Sequence, residues 1–401
     1  MAKATDIVVV GAGPVGLWTA IQAKKRDPDL SIRLYERDLD YKRSHPLLLE
    51  RLSTMLYSKK THDPLEDTFY KEVLGKSVQD IFLSAATGAV GIGTNHLEEA
   101  LKTYANGLEI ETVHGTVKHP QDVMDAHPEC RIFIAADGAR SKMRTALMGE
   151  YAINDMPLQH IVDVKYMSIG HPKLLAPLGD LYKANKVLSH MVFEYIGKTR
   201  GGYTPVALRF FLDKKTYDQV PKSTFREPLM MNDARMPDSL RRDISTYMNI
   251  RQTLGGDNYC EDTARIAKLT LSMYAAKKFA TMVDDRAWFL SGDAAMGVPY
   301  FRALNSGFFV GSQLGYILTR DKLSLENKVR AYNTVRPLDV AWEFTAARAK
   351  DQALKMYDQF RRASAKSPLE IVKWDSAQIE LFQSTPHRSM RASSAPQRQE
   401  L

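Results

Sequence analysis

Residues 7–36 read Ile7-Val8-Val9-Val10-Gly11-Ala12-Gly13-Pro14-Val15-Gly16, then Leu17-Trp18-Thr19-Ala20-Ile21-Gln22-Ala23-Lys24-Lys25, and, after a turn at Asp27-Pro28-Asp29, Ile32-Arg33-Leu34-Tyr35-Glu36. The first four are apolar and β-branched, the signature of a short strand buried on both faces of a parallel sheet. The segment after Gly16 has helical composition, and Ile32–Glu36 is a second strand. Together they form a βαβ unit with Gly-x-Gly-x-x-Gly at its first turn. In that setting Gly11 permits the tight turn, Gly13 lets backbone approach a pyrophosphate, and Gly16 allows helix and strand to pack closely. Unpaired N–H groups at the helix start face the phosphates. Glu36, 20 residues past Gly16, is placed to accept hydrogen bonds from an adenosine ribose. The alternative is a glycine-rich turn with no ligand.

Working outward, Arg37, Lys42 and Arg43 follow the acidic residue, either as a cationic clamp for a dinucleotide or as a solvated basic loop. Leu47–Leu56 looks helical, Asn95–Tyr104 is a helix, and Leu108–Val117 is a strand or hairpin. Arg131–Ala136 is a buried strand stopped by Asp137-Gly138, with Ser141 a candidate N-cap for the next helix. Ile161–Tyr166, Met191–Tyr195 and Val206–Leu212 are strands with partial alternation. Trp288–Ser291 is a further short strand, and it runs into Gly292-Asp293 and then Pro299. Residues 303–319 and 325–365 are helical, and the Ser/Arg/Gln/Pro-rich end from Ser384 is expected to be disordered.

The expected class is α/β. A Rossmann-like, dinucleotide-binding domain with a parallel sheet takes 1–150 and returns at 286–320. An inserted lobe on a mixed or antiparallel sheet takes 151–285 and would select the substrate. C-terminal helices take 321–383, and a tail takes 384–401.

With 401 residues, more than one lobe is expected. An apolar fraction of 44% with 25% charged residues excludes a mainly disordered or collagen-like chain. Two distant cysteines, Cys130 and Cys260, exclude a disulfide scaffold and suit a reducing compartment. The opening apolar run is broken at Gly11, well short of the roughly 18 residues a membrane span needs. A cytoplasmic protein without integral membrane association is expected. The formal charge of +8 suits an anionic cofactor, and no nucleic-acid partner is expected. Gly75-Lys76-Ser77 lacks the earlier glycine of a phosphate loop, Tyr70 standing there. His114 and His119 have no further ligands to complete a metal site.

The ordered set of motifs resembles the flavin-dependent monooxygenases of the aromatic-hydroxylase type, with the p-hydroxybenzoate hydroxylase fold. It comprises the glycine turn with Glu36-Arg37, then Asp137-Gly138, Gly292-Asp293, and Tyr332-Asn333-Thr334-Val335-Arg336-Pro337. The stretch from Arg43 to Val117, with Ser44-His45-Pro46-Leu47 and Ile92-Gly93-Thr94-Asn95-His96-Leu97, looks most like the MICAL branch, whose members oxidise methionines of a protein partner. The resemblance covers roughly 1–145 and 286–340. It implies that the Rossmann-like domain is a GR2-type FAD-binding domain, with FAD as cofactor and NADPH as reductant, and either a small molecule or a protein side chain as substrate.

It also implies that Gly11, Gly13, Pro14 and Gly16 cradle the pyrophosphate. Glu36 would bind the ribose, Arg37 would line the adenine side, Val117 would offer a backbone contact to the adenine, and Arg43 would reach the phosphates. Asp137 and Gly138 would lie near FAD and the passing NADPH. Asp293, following Gly292, would bind the ribityl chain, and the turn after Pro299 would approach the isoalloxazine ring. No catalytic residue is assigned.

The chain departs from the family at Tyr300–Gly307, bulkier than the usual glycine-rich run, at Met296 where a histidine is frequent, and at Thr94-Asn95 where a basic residue is usual. These departures keep two other readings open. One is a binding module that retains the fold without turnover, and the other is an oxidase or reductase on the same fold. Arg209 is placed either toward a substrate anion or on a solvent face.

Overall fold

The structure is a computed structural model, and it describes residues 4–38, 46–50, 89–150, 152–176, 179–197, 199–299 and 302–365. The chain divides into two compact units, 1–157 with 272–350 and 158–271 with 351–401. The boundaries at 157/158 and 271/272 fall inside two long strands.

The first unit is built on a parallel sheet. Its strands are β1 (Ile7–Val10), β2 (Ile32–Glu36), β5 (Glu111–His114), β6 (Ile132–Ala135), β11 (Ala280–Val283) and β12 (Arg286–Leu290), ordered β11-β12-β6-β1-β2-β5. All neighbours are parallel except β11, which pairs antiparallel with β12. Central strand β1 is buried along its whole length, as its unbroken apolar run requires. Each turn after β1, β6 and β12 is fastened to the neighbouring strand end. Gly11 N–H donates to the Tyr35 carbonyl, Ala136 N–H to that of Val10 and Ser291 N–H to that of Ala135, each at 2.8 Å. The carboxyl ends of the central strands therefore open at one edge, where α/β sheets bind their ligands.

Helix α1 (Pro14–Arg26) packs on α8 (Arg302–Leu318) through a feature the sequence reading passed over. Gly307, Gly311 and Gly315 stand four residues apart in α8, so they share one face. A Cβ at Gly311 would lie 2.6 Å from Thr19 Oγ1, and one at Gly315 would lie 3.0 Å from the Gln22 Cβ. The glycines allow the two helix backbones to meet. Trp18 then stacks on Phe308 at 4.7 Å and donates its indole N–H to the Phe308 carbonyl and the Ser312 hydroxyl, both at 2.9 Å.

The first unit also holds β3 (Pro46–Glu50), β4 (Ala89–Gly93), α2 (Thr94–Gly107) and α3 (Pro120–Ala126). The sequence predicts a helix over Leu47–Leu56, but Pro46–Glu50 is a strand paired antiparallel with Ala89–Gly93. The run Leu47-Leu48-Leu49 fits either element, and pairing with β4, which is distant in sequence, decides it. Residues 51–56 lie outside the described residues.

The second unit holds α5 (Asp180–Val187), β8 (Met191–Ile196), β9 (Tyr203–Leu212), α6 (Lys214–Gln219), α7 (Asp238–Gly255) and most of two long strands, β7 (Ile153–Ile169) and β10 (Asn258–Ala276). The strands follow the order β10-β7-β9-β8, with β7/β9 and β8/β9 antiparallel. Val206, Leu208, Phe210 and Leu212 alternate inward against α7, where Leu240, Ile244, Tyr247 and Met248 meet them. Within the first unit the last residues of β10 pair with β13 (Met296–Gly297). The last described element is α9 (Leu325–Ala365), as the helical spacing there indicates.

Candidate functional site at the glycine turn

The glycine turn is held from three sides. Gly11 has φ +107°, and a Cβ there would sit 2.4 Å from the Ala136 carbonyl oxygen at the end of β6. A Cβ at Gly16 would sit 2.0 Å from the carbonyl oxygen of Gly11. Both positions are therefore closed to any side chain by the protein's own backbone. Gly13 differs, because a Cβ there would meet nothing within 4 Å and its φ of −69° suits any residue. Among the described residues nothing requires glycine at this point, whereas close approach of a ligand does.

Gly13 is also the N-cap of α1, and no side chain caps that helix. Pro14 takes the first helical position, and no acidic residue occupies the first turn. The helix start therefore keeps its partial positive charge and unpaired N–H groups for an external anion. Glu36, at the end of β2, points its carboxylate at the same turn. Its Oε2 accepts from Ala12 N–H at 2.8 Å, and its Oε1 accepts from the N–H groups of Arg37 and Asp38 at 3.0 and 3.1 Å. Tying it down this way fixes the carboxylate beside the open glycine. An uncapped helix, an open backbone and a fixed acid together fit the pyrophosphate and ribose of a dinucleotide such as FAD.

The other motifs converge on this turn through Val15. A Cβ at Gly292 (φ +59°) would lie 2.9 Å from Val15 Cγ1, and one at Gly307 would lie 2.6 Å from Val15 Cγ2. The Gly292-Asp293 turn and the start of α8 thus close on the residue between Pro14 and Gly16. Arg144 of α4 (Lys142–Met148) knits two motifs together, donating to the Ala294 carbonyl at 2.8 Å and to that of Ala139 at 3.0 Å. Tyr274 donates its hydroxyl to the Asp293 carbonyl at 2.8 Å, and burial pushes that phenol well above its ordinary range. Neither Arg144 nor Tyr274 stood out in the sequence, since each acts through carbonyl groups that carry no side-chain signature.

Asp137 has a local task. Its Oδ1 accepts from the Ser141 hydroxyl at 2.5 Å, and its Oδ2 accepts from Lys142 and Met143 N–H at 2.8 and 3.2 Å, while Ser141 Oγ accepts from Arg144 N–H. The Asp137-Gly138 turn (Gly138 φ +86°) therefore caps α4. Arg37 is exposed and pairs with Asp38 at 3.0 Å. Gly115 N–H donates to the Glu36 carbonyl at 2.8 Å, which leaves half-buried Val117 two residues from the acid's strand. Pro299 is half-buried. Lys42, Arg43, Ser44, His45, Tyr300 and Phe301 lie outside the described residues. Arg302 reaches the carboxylate of Glu343 at 2.6 and 3.0 Å.

In the second unit Arg209, on β9, is partly exposed. It forms a two-pronged pair with buried Asp163 at 2.8 and 2.9 Å. Among the described residues, no group of three or more His, Cys, Asp or Glu side chains is placed to hold a metal ion, and no helix is long and apolar enough to cross a membrane.

The signature Tyr332–Pro337 in α9 braces the sheet. Tyr332 donates to the Leu290 carbonyl at 2.8 Å. The Asn333 amide accepts from Phe279 and Ala280 N–H and donates to the Ala280 carbonyl.

The sequence matches no protein-family model and no curated protein sequence. Solved structures do share its fold. A Diels–Alderase from pyrroindomycin biosynthesis superposes with a TM-score of 0.58 at 14% identity, over 95% of this chain and 80% of that one. The 2-methyl-3-hydroxypyridine-5-carboxylic acid oxygenase gives 0.55 at 14% identity, over 90% and 96%. A tetracycline destructase gives 0.52 at 12% identity, over 96% and 100%. The chain therefore has the fold of the FAD-binding aromatic hydroxylases, a parallel-sheet domain joined to an antiparallel-sheet lobe.

Proposed function

We propose that this chain is an FAD-dependent monooxygenase that uses NAD(P)H and O₂ to oxidise an organic substrate. The observation that carries the reading is the contrast within the glycine turn. Gly11 and Gly16 are required by the protein's own backbone, while Gly13 borders open space at an uncapped helix start beside a fixed carboxylate. Bound there, FAD would supply reduction by NAD(P)H and activation of O₂.

The chain's own part is to bind and orient. Residues 13–16 hold the pyrophosphate, Glu36 takes the ribose hydroxyls, and the Gly292-Asp293 turn is held on Val15 for the rest of the cofactor. The substrate is a small molecule, aromatic compounds included, or a protein side chain, as the likeness of residues 43–117 to the MICAL branch suggests. The relative acting on a hydroxypyridine carboxylic acid supports the small-molecule branch.

The visible spectrum of purified protein, before and after anaerobic NADPH, tests this reading. Flavin bands that bleach, and that vanish in Gly13→Glu without loss of folding, are the expected result. Protein that stays colourless after FAD is added would sink it. A second reading, a binding module that keeps the fold without turnover, is favoured by the bulky residues at 300–307. Robust NADPH oxidation would exclude it.

A further inference from the structure

The first unit buries a charge that the glycine turn does not use. Arg336 of α9 is 2% exposed, and its guanidinium lies over the Tyr332 ring at 4.9 Å. Among the described residues none accepts a hydrogen bond from its Nε, Nη1 or Nη2. Beside it is a cavity with about 10 Å³ of free space, room for one water-sized occupant. Gly292 and Ala295, Ser306 of α8, Phe279, and Arg336 and Asp339 form its walls.

Asp339 Oδ2 is 2.9 Å from Nη2, but off the hydrogen-bond direction, and it too lacks a hydrogen-bond partner. Burial pushes the Asp339 carboxyl toward its neutral form. Arg336 opposes that shift and the Glu343 charge reinforces it. Arg302 and Glu343 pair with each other. A guanidinium cannot shed its proton, so a buried one must be met by both acceptors and countercharge. The Tyr332 ring and a misdirected carboxyl supply only part of each.

We propose that this cavity is a binding site for one small monovalent anion of chloride size, held by the fork of Arg336 beneath the Gly292–Ala295 turn. The site borders the Gly292-Asp293 turn that the flavin reading assigns to the cofactor, but its occupant is read by halide binding and not by flavin absorbance. A water molecule would offer lone pairs without charge, so the two occupants are separable by experiment.

Crystals of the full chain soaked in sodium bromide should show an anomalous peak within hydrogen-bonding reach of Arg336. In solution, chloride or bromide replacing gluconate at constant ionic strength should raise the unfolding temperature saturably, by roughly 2–4 °C. Arg336→Gln should abolish that response. Should that variant not fold, Asp339→Asn decides, because removing the competing carboxylate should lower the halide midpoint severalfold. A cavity holding only water, with unfolding temperatures equal in all sodium salts, overturns the proposal. So does an unchanged halide midpoint in Asp339→Asn.

Discussion

In the first unit, close approach is achieved by leaving side chains out. Gly11, Gly16, Gly292, Gly307, Gly311 and Gly315 each let backbone or a neighbouring side chain come to a distance that a Cβ would forbid. The second unit does the reverse and seals a network of charges within its apolar core. Arg251 is fully buried between Glu194 and Asp257, 2.7 Å from the latter, with the hydroxyls of Tyr247 and Tyr166 closing the network on those two acids. The difference teaches where each unit is vulnerable. Glycine contacts fail when something is added, and a buried ion network fails when something is taken away.

The largest expected effect lies in that network. Arg251→Met leaves two buried carboxylates without their cation and should cost about 3–5 kcal/mol, read by urea unfolding. Adding Glu194→Gln and Asp257→Asn should restore most of the loss. A loss below about 1 kcal/mol in the single variant would show that water already compensates the acids.

The glycine turn sharpens the comparison within a single motif. Gly11→Ala combines a positive φ with a backbone clash and should cost about 2–4 kcal/mol. Gly13→Ala should leave stability within about 0.5 kcal/mol of the parent, yet weaken FAD binding at least about tenfold in a titration followed by flavin fluorescence. Equal destabilisation by both variants would remove the argument that Gly13 answers to a ligand.

A smaller effect tests the brace from α9. Asn333→Ala leaves the N–H groups of Phe279 and Ala280 without an acceptor and should cost about 2–3 kcal/mol, with faster hydrogen exchange at β11.

The smallest is a pH dependence. Burial pushes the Cys130 thiol up to about 11, above its ordinary value of 9.0. The neutral thiol is thus favoured in the folded chain, and its contribution is complete below pH 9 and lost as pH rises toward 11. Unfolding free energy between those values should fall more steeply in the parent than in Cys130→Ala, by about 1–2 kcal/mol in total. Parallel curves would show that the thiol is solvated.

Much of the first unit was legible because its signals are local. The run Ile7–Val10, the spacing of Gly11, Gly13 and Gly16, and Glu36 at the next strand's end each depend on neighbours within one βαβ unit. Ser141 was readable as a cap for the same reason, and the structure shows it capping α4. The strand at Pro46–Glu50 was not legible, because three leucines fit a helix equally well and β4, about 40 residues away, settles the matter. β10 was also passed over, since its 19 residues mix Glu, Asp, Arg and Lys with apolar positions and show no clean alternation. Arg251 reads as an ordinary helix cation until Glu194 and Asp257 are brought against it.

The sequence by itself determined the nucleotide-type turn, the parallel strands around it and the order of the later motifs. Those features follow from backbone sterics and short-range periodicity, which a linear string carries in full. Tertiary structure alone decided that Val15 is the point where the glycine turn, the Gly292-Asp293 turn and helix α8 meet. It likewise decided that Arg209 is paired with Asp163 and that Arg336 is buried beside a cavity. Each of these depends on the distance between residues far apart in the chain, and such distances exist only once long-range packing is complete.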